Sequence, residues 1–173
     1  MEIRRSTQQD TEALLLLFDE ARGTIAKLGI NQWQNGYPSR EVVCQDIDLG
    51  RAYSVMDGDD LIGTFVLVDD GEPTYDKIYE GSWHNETDCY LAIHRVAVAV
   101  RTRGKGISTA IIQYAADYAK KLGRTSLRID THQGNVVMRR MLEKHGFSYC
   151  GVIYLENGDP RVAYEKLLHE SNS

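Results

Sequence analysis

The spacing of apolar residues separates two kinds of segment along this chain. Four stretches place apolar residues three or four positions apart, as on one face of a helix, and each begins at a capping residue or ends at a glycine. Their bounds are Thr7 or Asp10 to about Lys27, Ser39 to about Asp48, 107–122 before Gly123, and Asn135–Lys144. The pattern therefore predicts four helices.

Shorter apolar or alternating runs lie between these helices and predict β-strands. The runs are 2–5, 51–57, 61–68, 89–98, 126–130, 146–155 and 161–168. Two turn sequences, at 57–60 and 156–159, each contain a glycine beside aspartate or asparagine and predict hairpins. This order of elements predicts a single domain, residues 1–173, of mixed α/β or α+β class around one central sheet.

Residues 69–88 follow neither spacing and form a long connection. They hold seven acidic residues and one lysine, Lys77, a balance of −6. Connections of this length are usually functional or disordered. Two interpretations stay open: a segment that attracts a cationic amine, or a solvated, mobile loop.

Charge is distributed unevenly along the chain. The formal net charge of −5 argues against nucleic-acid binding. Residues 94–128, however, hold eight Lys or Arg and one acid, Asp117, a balance of +7. This basic segment indicates a local site for a phosphorylated ligand.

Cysteine usage and hydropathy bear on the compartment. Cys44, Cys89 and Cys150 are odd in number and widely scattered, which favours reduced thiols and shows no metal-ligand spacing. No run of 18 apolar residues is present, and the first residues lack the apolar core of a signal peptide. We expect a cytoplasmic protein with no membrane span and no metal.

The strand 89–98 runs into a short basic turn and then directly into the third helix. Gly104 and Gly106 let the backbone take positive φ and approach a ligand closely. A helix N-terminus with nearby Arg101, Arg103 and Lys105 favours phosphate oxygens. The layout predicts a diphosphate site, although a plain strand–turn–helix connection with solvated basic residues would have the same composition.

Two motifs in this region resemble those of the GNAT superfamily of N-acetyltransferases. Arg103, Gly106 and Ser108 occupy the fixed positions of its Arg/Gln-x-x-Gly-x-Gly/Ala acetyl-CoA motif, with Ser108 in place of the last glycine or alanine. Further on, 135–147 is similar to the family's Asn-x-x-Ala-x-x-Leu-Tyr-Glu-Lys-x-Gly-Phe segment. The match is clear over about 89–168.

The resemblance implies a largely antiparallel sheet of about seven strands flanked by about four helices. It also implies transfer of an acetyl group from acetyl-CoA to a primary amine by direct attack. The positions that correspond to cofactor contacts are Val96, Val98, Arg101, Arg103, Gly104, Lys105, Gly106, Ser108, Thr109 and Asn135. Val96 and Val98 can be buried strand residues and also contact the cofactor through their backbone. For Asn135, a role as helix cap alone is an equal alternative.

The chain departs from the family where proton transfer is usually carried out. The tyrosine that often acts as general acid corresponds to Leu142, and a frequent carboxylate position corresponds to Ala92. His94 is a replacement candidate, because alternation along the strand puts it on the face of Tyr90, Ala92 and Val96, and because its reference pKa suits a base. Glu80 is a second candidate. A structural His94 and an inert surface Glu80 are the alternatives.

The acceptor side is less sharply marked. The residues that could contact an acceptor are the aromatic Trp33, Tyr37, Trp83 and Tyr90, and the strand-end Asp130 and His132. Aromatic rings beside acids suit organic cations, whereas packing and capping are the ordinary roles for these residues. We predict a small-molecule amine as acceptor. A protein or peptide acetyltransferase and a non-catalytic acyl-CoA-binding module remain alternatives, and family habit implies a homodimer.

Overall fold

The computed structural model describes residues 1–169 and contains the four predicted helices. Their bounds are α1 Thr11–Ala26, α2 Arg40–Asp48, α3 Ile107–Lys121 and α4 Val136–Lys144. Ser39 caps α2 by accepting a 3.3 Å hydrogen bond from the Val42 amide. At the end of α3, Gly123 takes φ +73°, the left-handed conformation that a helix-terminating glycine supplies. These helix ends confirm the capping pattern read from the sequence.

Within residues 1–169, seven strands form one mostly antiparallel sheet, which confirms the predicted mixed α+β class. The strands are β1 Glu2–Arg5, β2 Ala52–Asp57, β3 Asp60–Val68, β4 Tyr90–Val98, β5 Ser126–Thr131, β6 Ser148–Tyr154 and β7 Pro160–Leu167. Short 3-10 helices at Gln8–Asp10, Pro73–Tyr75 and Val100–Thr102 complete the elements. None of the helices within residues 1–169 is long and apolar enough to cross a bilayer.

The chain folds into two compact units. The first combines Met1–Leu67 with His94–Ala110, and the second combines Val68–Ile93 with the described residues from Ile111 onward. The three boundaries fall inside β3, β4 and α3, so each unit is made of two separate stretches of the chain. A single domain over residues 1–173 stays a prediction, and residues 170–173 lie outside the described part of the chain.

In the first unit, β1, β2 and β3 pair in antiparallel order. Helix α1 buries Leu14, Leu17 and Phe18, as its spacing predicts. Close packing extends to the glycine of β3, because a Cβ added at Gly63 would lie 3.2 Å from the side chain of Ile107. The start of α3 is thus seated tightly against the strands of its own unit.

In the second unit, β4 runs parallel to β5, and β7 lies antiparallel to both β5 and β6. The acidic segment 69–88 belongs to this unit. The amide and carbonyl of Tyr79 exchange 2.8 Å hydrogen bonds with Val152 of β6. A Cβ added at Gly81 would come within 2.0 Å of the Cys150 carbonyl oxygen. The middle of the segment is therefore packed on β6 and is not a solvated loop throughout.

Candidate functional site

The basic turn between β4 and α3 has the backbone that its glycines suggested. Gly104 and Gly106 have φ of +78° and +79°, a region that side-chain-bearing residues rarely enter. A Cβ built at either glycine meets nothing within 4 Å. The turn therefore uses the glycines for conformation and leaves open space beside them, where a bulky anionic group can approach the backbone.

Hydrogen bonds within the first unit fix this turn from the end of β4 onward. The Ala99 amide donates to the Ile62 carbonyl over 2.9 Å. The Thr102 hydroxyl donates to the Ala99 carbonyl over 2.7 Å. The Val100 amide donates to the Glu20 carboxylate over 2.7 Å. The turn is thus held in one shape by its own unit, and a ligand would not have to order it.

Positive charge surrounds the open glycines. Arg101, Arg103 and Lys105 are all exposed, and Arg101 makes a solvent-exposed ion pair of 3.0 Å with Asp60. The first amides of a helix have no acceptor within it and carry partial positive charge. Ser108 is half-buried and Thr109 exposed in that first turn of α3. These parts together suit a diphosphate.

Strand β4 contains a backbone irregularity that the sequence did not reveal. Arg95 has φ +50°, the left-handed region that costs a non-glycine residue about 1–2 kcal/mol. Strict alternation does not hold through such a residue, so the shared face predicted for His94 and Val96 loses its basis. His94, Val96 and Val98 are each half-buried.

The side chain of Arg95 is held by two partners in its own unit. Its Nε and Nη2 donate to the two oxygens of Asp46 over 2.6 and 2.7 Å, and its Nη1 donates to the Tyr37 hydroxyl over 2.8 Å. Burial disfavours the charge on Arg95, but the hydrogen bonds and charge of Asp46, with Tyr37, outweigh it and raise the pKa of the guanidinium. We call Arg95, Asp46 and Tyr37 the β4 clamp.

The clamp joins β4 to the aromatic loop 30–38. Trp33 lies 6.4 Å from Tyr37 and 5.7 Å from Phe18 of α1, between ring centroids. Arg22 donates to the Tyr37 carbonyl over 3.1 Å. The two predicted acceptor-wall residues of this unit therefore lie together in a packed loop, and their role toward an acceptor stays a prediction.

In the second unit, Trp83 and Tyr90 also lie together, around a cation of the chain itself. The guanidinium carbon of Arg128 is 4.2 Å from the centroid of each ring. Its Nε donates to Glu165 over 2.7 Å, and both members of that ion pair are buried. One face of each ring is thus already occupied, and acceptor contact by these rings stays a prediction.

Asp130 lies near the carboxyl end of β5 and is half-buried. The buried Tyr75 hydroxyl donates to it over 2.6 Å. Burial, reinforced by Asp130, raises the pKa of Tyr75 well above its ordinary value, so the phenol stays protonated and acts as a donor. Tyr75 is a functional candidate that the sequence does not mark, because nothing in its local pattern places it beside β5.

His132 and Asn135 bracket the connection from β5 to α4. The Gly134 amide donates to Nδ1 of His132 over 2.9 Å, which places the proton of the neutral ring on Nε2. Burial and then Arg161 lower the pKa of His132, so the neutral form dominates at pH 7. Asn135 caps α4 by accepting from the Met138 amide over 3.2 Å. Its contact with a cofactor stays a prediction.

The four positions considered for proton transfer differ in burial and in chemical character. Leu142 and Ala92 are fully buried apolar residues, so neither can exchange a proton. Glu80 is exposed and has φ +58° beside the Gly81 contact with β6. His94 has its Nε2 atom buried. Glu80 and His94 lie in different units, and neither is tested as a base by the geometry.

The sequence is similar to a known protein family and to individual members of it. The family model described as Acetyltransferase (GNAT) family matches residues 19–147. Uncharacterized N-acetyltransferase YvbK of Bacillus subtilis (strain 168) is 26% identical over 64% of this chain and 61% of its own length. Streptothricin acetyltransferase of Streptomyces lavendulae is 30% identical over 51% of this chain and 46% of its own length. The matched regions thus span about half to three fifths of these two relatives.

Solved structures extend the similarity to almost the whole chain. A GNAT family acetyltransferase from Streptococcus agalactiae 2603 matches with a TM-score of 0.89 and 35% identity, over 98% of this chain and 96% of that one. An acetyltransferase structure from Staphylococcus aureus Mu50, at 24% identity and a TM-score of 0.73, covers 98% of this chain and 100% of its own and shares the fold. With a family model that matches about three quarters of its length, the chain belongs to the acetyltransferase (GNAT) family.

Proposed function

We propose that the protein is an acetyl-CoA-dependent N-acetyltransferase that acetylates a primary amine of a small molecule by direct attack in a ternary complex. Membership of an acetyltransferase family supports acyl transfer as the reaction class. The observation that carries the proposal is the open, left-handed pair Gly104 and Gly106 before α3, with exposed Arg103 ahead of the pair and exposed Lys105 between its members. These residues fit a diphosphate in shape and in charge.

In the first unit, basic side chains and backbone groups would contact different parts of acetyl-CoA. Arg101, Arg103 and Lys105 would pair with phosphate oxygens, while the glycines admit those oxygens to the α3 amides. The backbone of Val96 and Val98 would align the pantetheine arm. When bound, acetyl-CoA supplies the activated acetyl thioester. Correct alignment of such a group with an amine can supply several kcal/mol of the barrier.

On the acceptor side we propose a small cationic amine that must lose its proton before attack. Asp130, anchored by Tyr75, can hold an ammonium group, and neutral His132 can donate from Nε2 to an acceptor oxygen. Glu80 or His94 would take the proton, directly or through water. The acidic balance of 69–88 supports a cationic acceptor, and one similar protein is a streptothricin acetyltransferase.

A matched pair of glycine substitutions tests the site. Gly106→Trp would fill the open space, whereas Gly123→Trp places the same side chain at the same type of backbone position, φ +73°, at the other end of α3. About 22 Å of helix separates the two. Calorimetry should show that Gly106→Trp loses acetyl-CoA binding, while Gly123→Trp keeps the wild-type affinity with a similar loss of stability.

Turnover is measured as thiol release from acetyl-CoA with a panel of small amines and of peptides with free N-termini or lysines. Release with a small amine supports the proposal, and release with peptides alone would favour a protein acetyltransferase. Saturable binding with no release across the panel would favour a non-catalytic acyl-CoA-binding module. Equal affinities of the two tryptophan variants for acetyl-CoA would remove the site assignment.

We also propose a cytoplasmic location and keep the homodimer as a prediction. Cys44, Cys89 and Cys150 are all free thiols, which accords with a reducing compartment. Fractionation of cells that express the protein tests the location. Light scattering of the purified protein tests the oligomeric state.

A further inference from the structure

We infer that the β4 clamp is a positioning device for acetyl transfer: Asp46 and Tyr37, acting through Arg95, set the direction of the β4 backbone at 96–98. The inference rests on the proposed function, since that backbone is the part assigned to the pantetheine arm. It adds Asp46 and Arg95, which have no substrate contact in the proposal, and it gives Tyr37 a role separate from its predicted contact with the acceptor. Every residue of the clamp belongs to the first unit.

The first observation is that a strained residue and a strong pair coincide. Arg95 is in the left-handed region within a strand, and such residues persist where surrounding contacts determine them and cluster at functional sites. The contact here is bidentate, with both oxygens of Asp46 within 2.7 Å of the guanidinium. The side chains of Arg95 and Asp46 are only 16% and 10% exposed, so solvent weakens the pair little.

The second observation concerns the elements to which the partners of Arg95 belong. Asp46 is a buried residue of α2, a helix that Ser39 caps, and Tyr37 belongs to the loop with Trp33. Arg95 therefore links a rigid helix and the aromatic loop to one bend in β4. Val96 follows Arg95 directly, so a change in the bend would redirect the backbone of 96–98.

The diphosphate turn is held by hydrogen bonds other than those of the clamp, so loosening the clamp should affect catalysis and phosphate binding differently. Ala99 bonds to Ile62, and Val100 to Glu20, and these bonds do not involve the clamp. Loosening the clamp should therefore misalign the thioester more than it weakens binding of the phosphates. A misplacement of about 1 Å can cost on the order of a hundredfold in rate.

Asp46→Asn tests the inference, and the same unit supplies a matched control. Arg4 of β1 and Asp10 of the 3-10 helix Gln8–Asp10 form a second bidentate pair, at 2.8 and 2.9 Å, so Asp10→Asn makes the same chemical change away from β4. Tyr37→Phe is a milder variant that removes one hydroxyl. For each protein we would measure urea unfolding, kcat and KM, calorimetric affinity for CoA, and backbone amide NMR shifts.

We expect Asp46→Asn to lower kcat about tenfold or more while the Kd for CoA changes less than threefold, and to move the amide shifts of Val96 and Val98. Tyr37→Phe should show the same pattern more weakly. Asp10→Asn should keep kcat within twofold. Equal kcat losses in Asp46→Asn and Asp10→Asn, or unmoved amides at 96–98, would overturn the inference. A wild-type protein that turns over no amine would overturn the proposed function instead. The amide shifts would still show whether the clamp sets the backbone at 96–98.

Discussion

Glu165→Gln should be among the most destabilising isosteric changes in the second unit. Glu165 is 1% exposed and accepts three hydrogen bonds, from the Asn85 amide, the Ser126 hydroxyl and Nε of Arg128, at 2.7–2.8 Å. Glutamine keeps the shape and one oxygen. It removes the negative charge and turns an amide donor toward at least one existing donor.

The expected loss of unfolding free energy depends on the contacts that Arg128 retains in the variant. Removing one partner of a buried ion pair costs about 3–5 kcal/mol, because the other charge stays buried without compensation. Arg128 retains the Asn85 carbonyl at 2.6 Å and the faces of Trp83 and Tyr90, which offset part of that cost. We therefore expect about 3 kcal/mol of lost unfolding free energy, or roughly 6–12 °C in Tm for a chain of this size.

Urea unfolding followed by circular dichroism measures the effect, and Glu12→Gln is the control. Glu12 pairs with Arg40 at 2.6 Å, but the two side chains are 75% and 58% exposed, so we expect no measurable loss. Adding Arg128→Met to Glu165→Gln should cost less than the two single changes summed. If Glu165→Gln were as stable as Glu12→Gln, the argument that burial makes this pair important would be refuted.

Three further outcomes follow from the described residues. Hydrogen bonds from Arg4 lower the pKa of Asp10, so its contribution to stability is full above the unfolded value and is lost as pH falls through the folded value. Asp10→Asn should therefore flatten the decline in unfolding free energy below about pH 4, measured by urea titration. Burial, with Glu165, raises the pKa of Cys150 to about 11, so Ellman's reagent at pH 8 should label exposed Cys89 first and reach Cys150 only on unfolding. Leu142→Ala should cost about 2–5 kcal/mol of stability yet leave kcat of the folded protein within about threefold, and a collapse of kcat with normal acetyl-CoA affinity would contradict a purely packing role.

Local sequence signals predicted the elements well because their causes are local. Ser39 and Asn135 cap helices with their own side chains, and Gly123 ends α3 in the left-handed region. Each effect involves residues within four positions along the chain. The same holds for Gly104 and Gly106, where residue type alone indicated both the backbone conformation and the open space.

The bend in β4 could not be predicted in this way. Arginine has no preference for positive φ, and residues 89–98 read as an uninterrupted strand. The conformation depends on Asp46 and Tyr37, which lie 49 and 58 positions away in sequence. A single sequence carries no signal for a contact at that distance, so the face predicted to be shared by His94 and Val96 rested on an alternation that the folded strand does not keep through Arg95.

The contacts of Trp83 and Tyr90 make their rings a less favourable binding place for a cationic acceptor than Asp130. Their residue types indicated cation binding, and each ring does face a cation, that of Arg128. An acceptor that used those same ring faces would have to displace a guanidinium bonded to Glu165 and to the Asn85 carbonyl, at a cost comparable with breaking the buried pair. Tyr75 donates to one carboxylate oxygen of Asp130 over 2.6 Å. An acceptor cation could bind the other oxygen without breaking that bond. Asp130→Asn should therefore raise KM for a cationic acceptor more than Trp83→Phe does, with KM for acetyl-CoA unchanged, and the reverse order in steady-state kinetics would place the acceptor at the rings.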